Sequence, residues 1–196
     1  VPIVNLGVAP TVIVANPTLG YKSLADIIKS PPTKPLTVGV PVGSAQVYWL
    51  REFVKVYPQI KIIEVPFKSG GDVLVNVIGG HVDIGIGSAI GAASFAAENK
   101  LVILTTLSTQ KSSLIPGITT PREQGIKFEH DTVGFAQLMI WASPASDKGA
   151  VESFRHRFLA WSKTQEAQNL FNRIDLSFDS RTADKPEIVI KKLLKR

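Results

Sequence analysis

The chain has no cysteine in its 196 residues. That excludes disulfides, thiolate catalysis and Cys-based metal sites. It fits the periplasm and the cytoplasm equally. No apolar run approaches the roughly 18 residues that a membrane-spanning helix needs. Histidine is scarce: His81, His130 and His156 lie in unrelated contexts, and none has a partner at the i, i+4 spacing of a metal pair. Charged residues make up only 19%, and the net charge of +6 is moderate. The Lys191-Lys192-Leu-Leu-Lys195-Arg196 cluster lacks interleaved aromatics and reads as a solvated helix end, where cations suit the negative end of the dipole. Val1-Pro-Ile has neither a basic nor an apolar leader region, and the expectation is that no signal peptide lies within these residues. A start without Met suits a processed protein or a fragment.

What is present is an alternation of short β-branched runs and amphipathic stretches. Val8 to Val14 reads as one strand, and Ser23-Leu-Ala-Asp26 as a capping-box helix start stopped by Pro31-Pro32. Leu36–Val40 predicts a strand, Gln46–Val56 a helix, Lys61–Val65 a strand and Asp72–Ile78 a helix closed by Gly79-Gly80. Val82–Ile86 and Val102–Leu107 predict further strands around an Ala-rich helix over Ile90–Glu98. Thr120–Gly125 predicts a short helix, and Thr132–Ala142 one or two buried strands. Three helices follow, over Asp147–Trp161, Thr164–Phe171 and Pro186–Leu194. Such alternation predicts an α/β fold with mostly parallel strands, and the change to longer helices puts a lobe boundary near Thr105–Ser108.

Nucleophile candidates fail on pattern. Ser88 stands in Ile86-Gly-Ser-Ala-Ile90, which is not the Gly-x-Ser-x-Gly of a hydrolase elbow, and Ser44 fails as well. Gly85-Ile-Gly87-Ser-Ala-Ile-Gly91 follows a strand and opens a helix, as a dinucleotide loop would. No acid for a ribose hydroxyl closes the next strand, Ile103-Leu-Thr-Thr106, and the glycines serve equally as a packing contact.

Two other turns, Pro41–Ala45 and Lys68–Gly71, each end a strand and start a helix. Parallel strands bring such turns to one sheet edge. Helix N-termini with bare N–H groups, the Ser44 and Ser69 hydroxyls and the Lys68 ammonium suit a carboxylate. Gly and Ser are also ordinary turn residues.

The motifs together resemble a known family. Asn16-Pro-Thr-Leu-Gly-Tyr-Lys-Ser-Leu-Ala-Asp-Ile-Ile, Thr37-Val-Gly-Val-Pro-Val-Gly-Ser-Ala, Val65-Pro-Phe-Lys-Ser-Gly-Gly-Asp-Val-Leu, Gly79-Gly-His-Val-Asp and Ile115-Pro-Gly-Ile-Thr-Thr-Pro-Arg-Glu-Gln-Gly follow one another in order. They resemble the solute receptors of tripartite tricarboxylate transporters, the Bug-type periplasmic binding proteins. The resemblance implies a two-lobed, type II periplasmic-binding-protein-like α/β fold. It implies a non-enzymatic receptor without a cofactor, holding a di- or tricarboxylate or an aromatic acid between its lobes and passing it to a membrane permease in the periplasmic space. The implied ligand contacts are Val42, Gly43, Ser44, Ala45, Lys68, Ser69, Gly70, Gly71 and Ser88.

Phe67 stands where the family has Tyr, and Gly85-Ile-Gly-Ser88 where it often has Phe-Asp-Asn. The family also carries a segment with its own Gly-rich loop ahead of the part matching Val1. The resemblance therefore implies that residues 10–105 form the second, ligand-binding lobe and residues 106–196 the C-terminal part of an incomplete first lobe. Weak carboxylate binding and self-association through exposed lobe surface are expected. Two other readings stay open: a Rossmann-type enzyme using Gly85, Gly87 and Gly91, and the effector-sensing domain of a transcription regulator.

Overall fold

A computed structural model describes the chain except residues 45, 108–111, 113, 128–135, 175, 179, 195 and 196, with backbone only at 136–137 and 192–194. The chain divides into two compact units: Val1–Ala9 with Ala136–Arg196, and Pro10–Phe135.

The larger unit is built on a five-stranded sheet of β2 (Thr11–Ala15), β3 (Leu36–Pro41), β4 (Ile62–Phe67), β5 (Ile84–Ser88) and β6 (Val102–Thr106), in spatial order β4-β3-β5-β2-β6. β3 runs parallel to β4 and β5, whereas β2 is antiparallel to both β5 and β6. Four strands thus point one way and β2 the other, so two of the four ladders are parallel and two antiparallel, a more mixed sheet than the sequence predicts. Helices α1 (Leu24–Lys29) and α2 (Gln46–Val56) cover one face, and α3 (Gly70–Ile78) and α4 (Ala89–Ala97) the other.

The two-residue period decides which face each side chain meets. On the first face Ile13, Val38, Ile84 and Ile86 pack against Leu24, Ile27, Trp49 and Phe53. On the second face β3 and β5 present glycines. A Cβ on Gly85 would lie 2.5 Å from Val73 Cγ1 and 2.8 Å from Val77 Cγ2, and one on Gly39 3.2 Å from Val73 Cγ1. The Ile-Gly alternation of β5 is therefore a large-and-small code: isoleucine fills the α1/α2 layer, and glycine lets α3 lie close on the sheet.

The signature residues Asn16 and Asp83 are structural. Asp83 Oδ2 accepts from the Thr37 N–H and hydroxyl, both at 2.7 Å, which ties the starts of β3 and β5 together. The Asn16 side-chain amide donates to Val77 O at 2.7 Å, and its oxygen accepts from the Thr18 N–H at 3.0 Å. Asp26 and Ser23 form the expected capping box at α1.

In the smaller unit β1 (Pro2–Ala9) pairs antiparallel with β7 (Ala136–Trp141), and α5 (Lys148–Trp161), α6 (Gln165–Arg173), α7 (Ser180–Ala183) and α8 (Pro186–Leu194) complete it. Asp147 and Thr164 cap α5 and α6, accepting from Ala150 N–H and Ala167 N–H.

Three sequence expectations need correction. The single strand over Val8–Val14 is two strands belonging to different units, because Pro10 has no N–H for a ladder and separates β1 from β2. The helix over Thr120–Gly125 is a set of hydrogen-bonded turns. There Glu123 folds back onto the Thr120 N–H, and the Gln124 side chain reaches Leu104 O and the Ala25 N–H. The segment after β6 also stays with the larger unit. Leu107 N–H donates to Thr11 O and Thr106 N–H to Thr119 O, so the Thr105–Ser108 boundary falls inside that unit. The expected strand residues 132–135 lie outside the described residues.

Candidate functional site

The C-terminal ends of β3, β4 and β5 share one edge of the sheet, because these strands run in the same direction. Three strand-to-helix turns meet there. Val42 N–H donates to Phe67 O at 2.9 Å, which joins the first turn to the second. A Cβ on Gly70 would lie 3.8 Å from Gly87 Cα, so the second turn abuts the third.

In the first turn Val42 is 70% exposed and Gly43 adopts φ +70°, a left-handed conformation that favours glycine. The Ser44 hydroxyl oxygen is buried and has no hydrogen-bond partner. Ala45 lies outside the described residues. In the second turn Ser69 is fully engaged: its oxygen accepts from Asp72 N–H at 3.1 Å, and its hydroxyl donates to Asp72 Oδ2 at 2.9 Å. The Gly70 and Gly71 N–H groups at the start of α3 have no protein acceptor among the described residues. Lys68 is exposed, with no ion pair among the described residues. In the third turn Ser88 is exposed and caps α4 by accepting from Gly91 N–H at 3.2 Å. Ile90 beside it is 42% exposed.

The edge therefore offers N–H donors at two helix N-termini, one unpaired hydroxyl and one ammonium, rimmed by Val42 and Ile90. Asp72 already places a carboxylate at α3, which balances the charge of Lys68. A ligand here meets fixed dipoles and hydrogen-bond donors more than net charge. The structure brings Val42, Gly43, Ser44, Lys68, Ser69, Gly70, Gly71 and Ser88 to one edge, but gives Ser69 and Ser88 helix caps as their first task. Ile90 escaped the sequence reading, although its place as the second residue of a helix after a Ser cap was visible.

The Gly85, Gly87 and Gly91 loop has a packing explanation. Besides Val73 and Val77 against Gly85, Leu74 lies where Cβ atoms on Gly87 and Gly91 would be, at 3.1 and 3.0 Å. His81 and His156 sit in different units, and His130 is outside the described residues. Among the described residues no three His, Asp or Glu side chains gather as a metal site, and no helix is long and apolar enough to cross a membrane.

Solved structures place this architecture in a class. The periplasmic binding protein BugD superposes with a TM-score of 0.81 at 16% identity, covering 99% of this chain and 64% of BugD. MatC (Rpa3494) from Rhodopseudomonas palustris, solved with bound malate, gives 0.72 at 19% identity, covering 99% of this chain and 66% of MatC. Rpa4515 of R. palustris, solved with adipate, gives 0.72 at 17% identity, covering 88% and 57%. The fold is that of the periplasmic binding proteins. Within that class the sequence matches the tripartite tricarboxylate transporter family receptor over residues 1–165, and the chain belongs to this family. BugT of Bordetella pertussis is 28% identical over 127 residues, which are 64% of this chain and 39% of BugT. The chain thus spans less than two-thirds of the length of these relatives.

Proposed function

We propose that this chain is a non-enzymatic, periplasmic solute receptor, or a part of one, that captures a small organic acid for a tripartite tricarboxylate-type transporter and its membrane permease. Family membership supports the receptor role, and the malate and adipate bound to two relatives support a carboxylate ligand. The observation that carries the reading is the buried Ser44 hydroxyl without a partner, in a turn on the sheet edge that also carries the Gly70 and Gly71 N–H groups at the start of α3. A buried hydroxyl left unmade costs free energy that a ligand oxygen recovers. On this reading the larger unit, Pro10–Phe135, holds the ligand-binding lobe, and the smaller unit contributes to the other.

Titration with malate and with adipate, followed by backbone amide NMR shifts, tests this. Binding in the millimolar range, worth about 4 kcal/mol, should move the Gly70, Gly71 and Ile90 amides. Ser44→Ala should weaken it about fivefold, the worth of one neutral hydrogen bond, without loss of stability. Ser69→Ala should instead cost about 1 kcal/mol of stability as a lost helix cap. Shifts confined to other parts of the sheet, or none with either acid, would overturn the assignment.

A further inference from the structure

The two ends of the larger unit's sheet carry different charge. At the candidate ligand edge the Lys68 ammonium is balanced by the Asp72 carboxylate in the first turn of α3. The opposite edge, where β3, β4 and β5 begin, is basic. The chain reaches it through β2, whose last residue Ala15 pairs with Ile84 at the start of β5. It leaves through β3, whose first residue Leu36 pairs with Ile62 at the start of β4. The connection between them, which includes α1, therefore begins and ends at this edge, and it carries Lys22, Lys29 and Lys34. Lys61 belongs there too, because its carbonyl accepts from Leu36 N–H at 2.9 Å. Lys127 joins them: its N–H donates at 3.1 Å to the hydroxyl of Tyr57, in the turn that leads from α2 into β4.

All five lysines are exposed, and among the described residues none of them makes an ion pair. The described carboxylates near them are committed. Asp26 accepts the Lys22 and Ser23 N–H groups, Asp83 accepts the Thr37 N–H and hydroxyl, and Glu98, ahead of β6, pairs with Lys100 at 2.6 Å. A group of like charges left unopposed in this way attracts a surface of the opposite sign.

We propose that this basic edge is an electrostatic landing surface for a bilayer that carries anionic phospholipid headgroups. Charge complementarity selects the partner, and the residue type narrows it. All five cations are lysines, point charges on flexible stems, with none of the guanidinium forks that read a fixed carboxylate. They come from separate loops and element ends along the sheet, so they suit a flat, diffuse layer of anions better than one protein's fixed pattern of acids. Clusters of about four to eight such cations are the usual footprint of anionic-lipid binding. The candidate ligand edge lies at the other ends of the same strands, away from the lipid. The proposal does not depend on the ligand reading.

Co-sedimentation with vesicles tests it, using phosphatidylcholine alone and phosphatidylcholine mixed with phosphatidylglycerol. At about 10 mM ionic strength, where charges act over ~30 Å, the native chain should sediment with the anionic vesicles and not with the neutral ones. About 1 M salt, which shortens that reach to ~3 Å, should release it. Lys29→Glu/Lys34→Glu/Lys61→Glu should weaken binding at least about a hundredfold, at roughly fivefold for each lysine near the surface. Lys191→Glu/Lys192→Glu/Lys195→Glu makes the same change of net charge in the C-terminal cluster and should weaken it far less. No binding to the anionic vesicles, equal binding to the neutral ones, or binding that survives high salt overturns the proposal. So does a C-terminal variant that loses binding while the edge variant keeps it. Retention on immobilised polyglutamate without vesicle binding overturns it in favour of an acidic protein. If the edge variant fails to fold, lysine acetylation of the native chain decides. Anionic vesicles should protect Lys29, Lys34 and Lys61 but not the exposed Lys148 and Lys163 of the smaller unit, and an unprotected edge overturns the proposal.

Discussion

The larger unit buries both faces of a five-stranded sheet, whereas the smaller unit rests on a two-stranded ribbon and the helices packed against it. A ribbon of two strands is marginal by itself, so the smaller unit must draw its stability from elsewhere. The source is aromatic. Phe171 stacks on Phe178 with ring centroids 4.6 Å apart and meets the Trp161 ring edge-on at 5.7 Å, while Phe158 touches Trp161 and Phe178. Such pairs add to the burial of large side chains. The larger unit distributes its core over many aliphatic contacts, and the smaller concentrates its own in a few rings.

The contrast is broken or upheld most sharply at Phe171. It is almost fully buried, and Phe171→Ala should cost about 3–5 kcal/mol. That is a large share of a small unit's stability. Tryptophan reports on the two regions: Trp141 and Trp161 belong to the smaller unit and Trp49 to the larger. Residue-resolved hydrogen exchange should show the smaller unit opening early in Phe171→Ala while the Trp49 region keeps its protection. Equal loss of protection in both would mean that the two form one cooperative block.

The larger unit has the opposite weakness, which is excess rather than lost volume. Gly85→Ala would set a methyl 2.5 Å from Val73 Cγ1 between two fully buried valines. Overpacking of this kind costs about 1–3 kcal/mol. The urea midpoint of the larger unit should fall by that amount and recover in part when Val73→Ala opens the space. An unchanged midpoint would show that α3 can lift off the sheet, and the glycines would then lose their packing role.

Much of this was legible from the residues. The Ser23-Leu-Ala-Asp26 start, the helices over Gln46–Val56 and Pro186–Leu194, and the turns at Lys68 and Val42 come from local chemistry, and local chemistry decided them. What stayed hidden was set by distant contacts. Pro10 could be read as a strand interruption, but not that β1 and β2 belong to different sheets. Thr120–Gly125 has helix-like residues, yet Gln124 is drawn to Leu104, twenty positions back, and the turn never becomes a helix. Gly85 and Gly87 fit a dinucleotide loop and a packing contact alike in sequence, because spacing alone cannot show which side chain fills the space beside them. Ser44 and Ser69 look equivalent in sequence. Only the structure shows that one hydroxyl is committed to Asp72 and the other is not.

The smallest of the expected effects separates the units by pH. Asp26 Oδ2 accepts the Lys22 and Ser23 N–H groups, each at 2.9 Å. The Lys22 N–H, helped by the Ser23 hydroxyl and N–H and the Lys29 charge, holds the Asp26 carboxyl below its ordinary value against an opposing effect of burial. The folded state therefore prefers the charged form. The stability this confers on the larger unit is complete above the unfolded carboxyl value of about 3.9 and is lost as pH falls through the lower folded value. Asp26→Asn should cost about 1 kcal/mol at neutral pH, the usual worth of a helix cap. The gap to the native chain should then close as both are acidified below about pH 4, with the smaller unit, which lacks this group, as internal reference. A gap that stays constant from neutral to acid pH would mean that Asp26 acts through its shape alone and that its charge contributes nothing to α1.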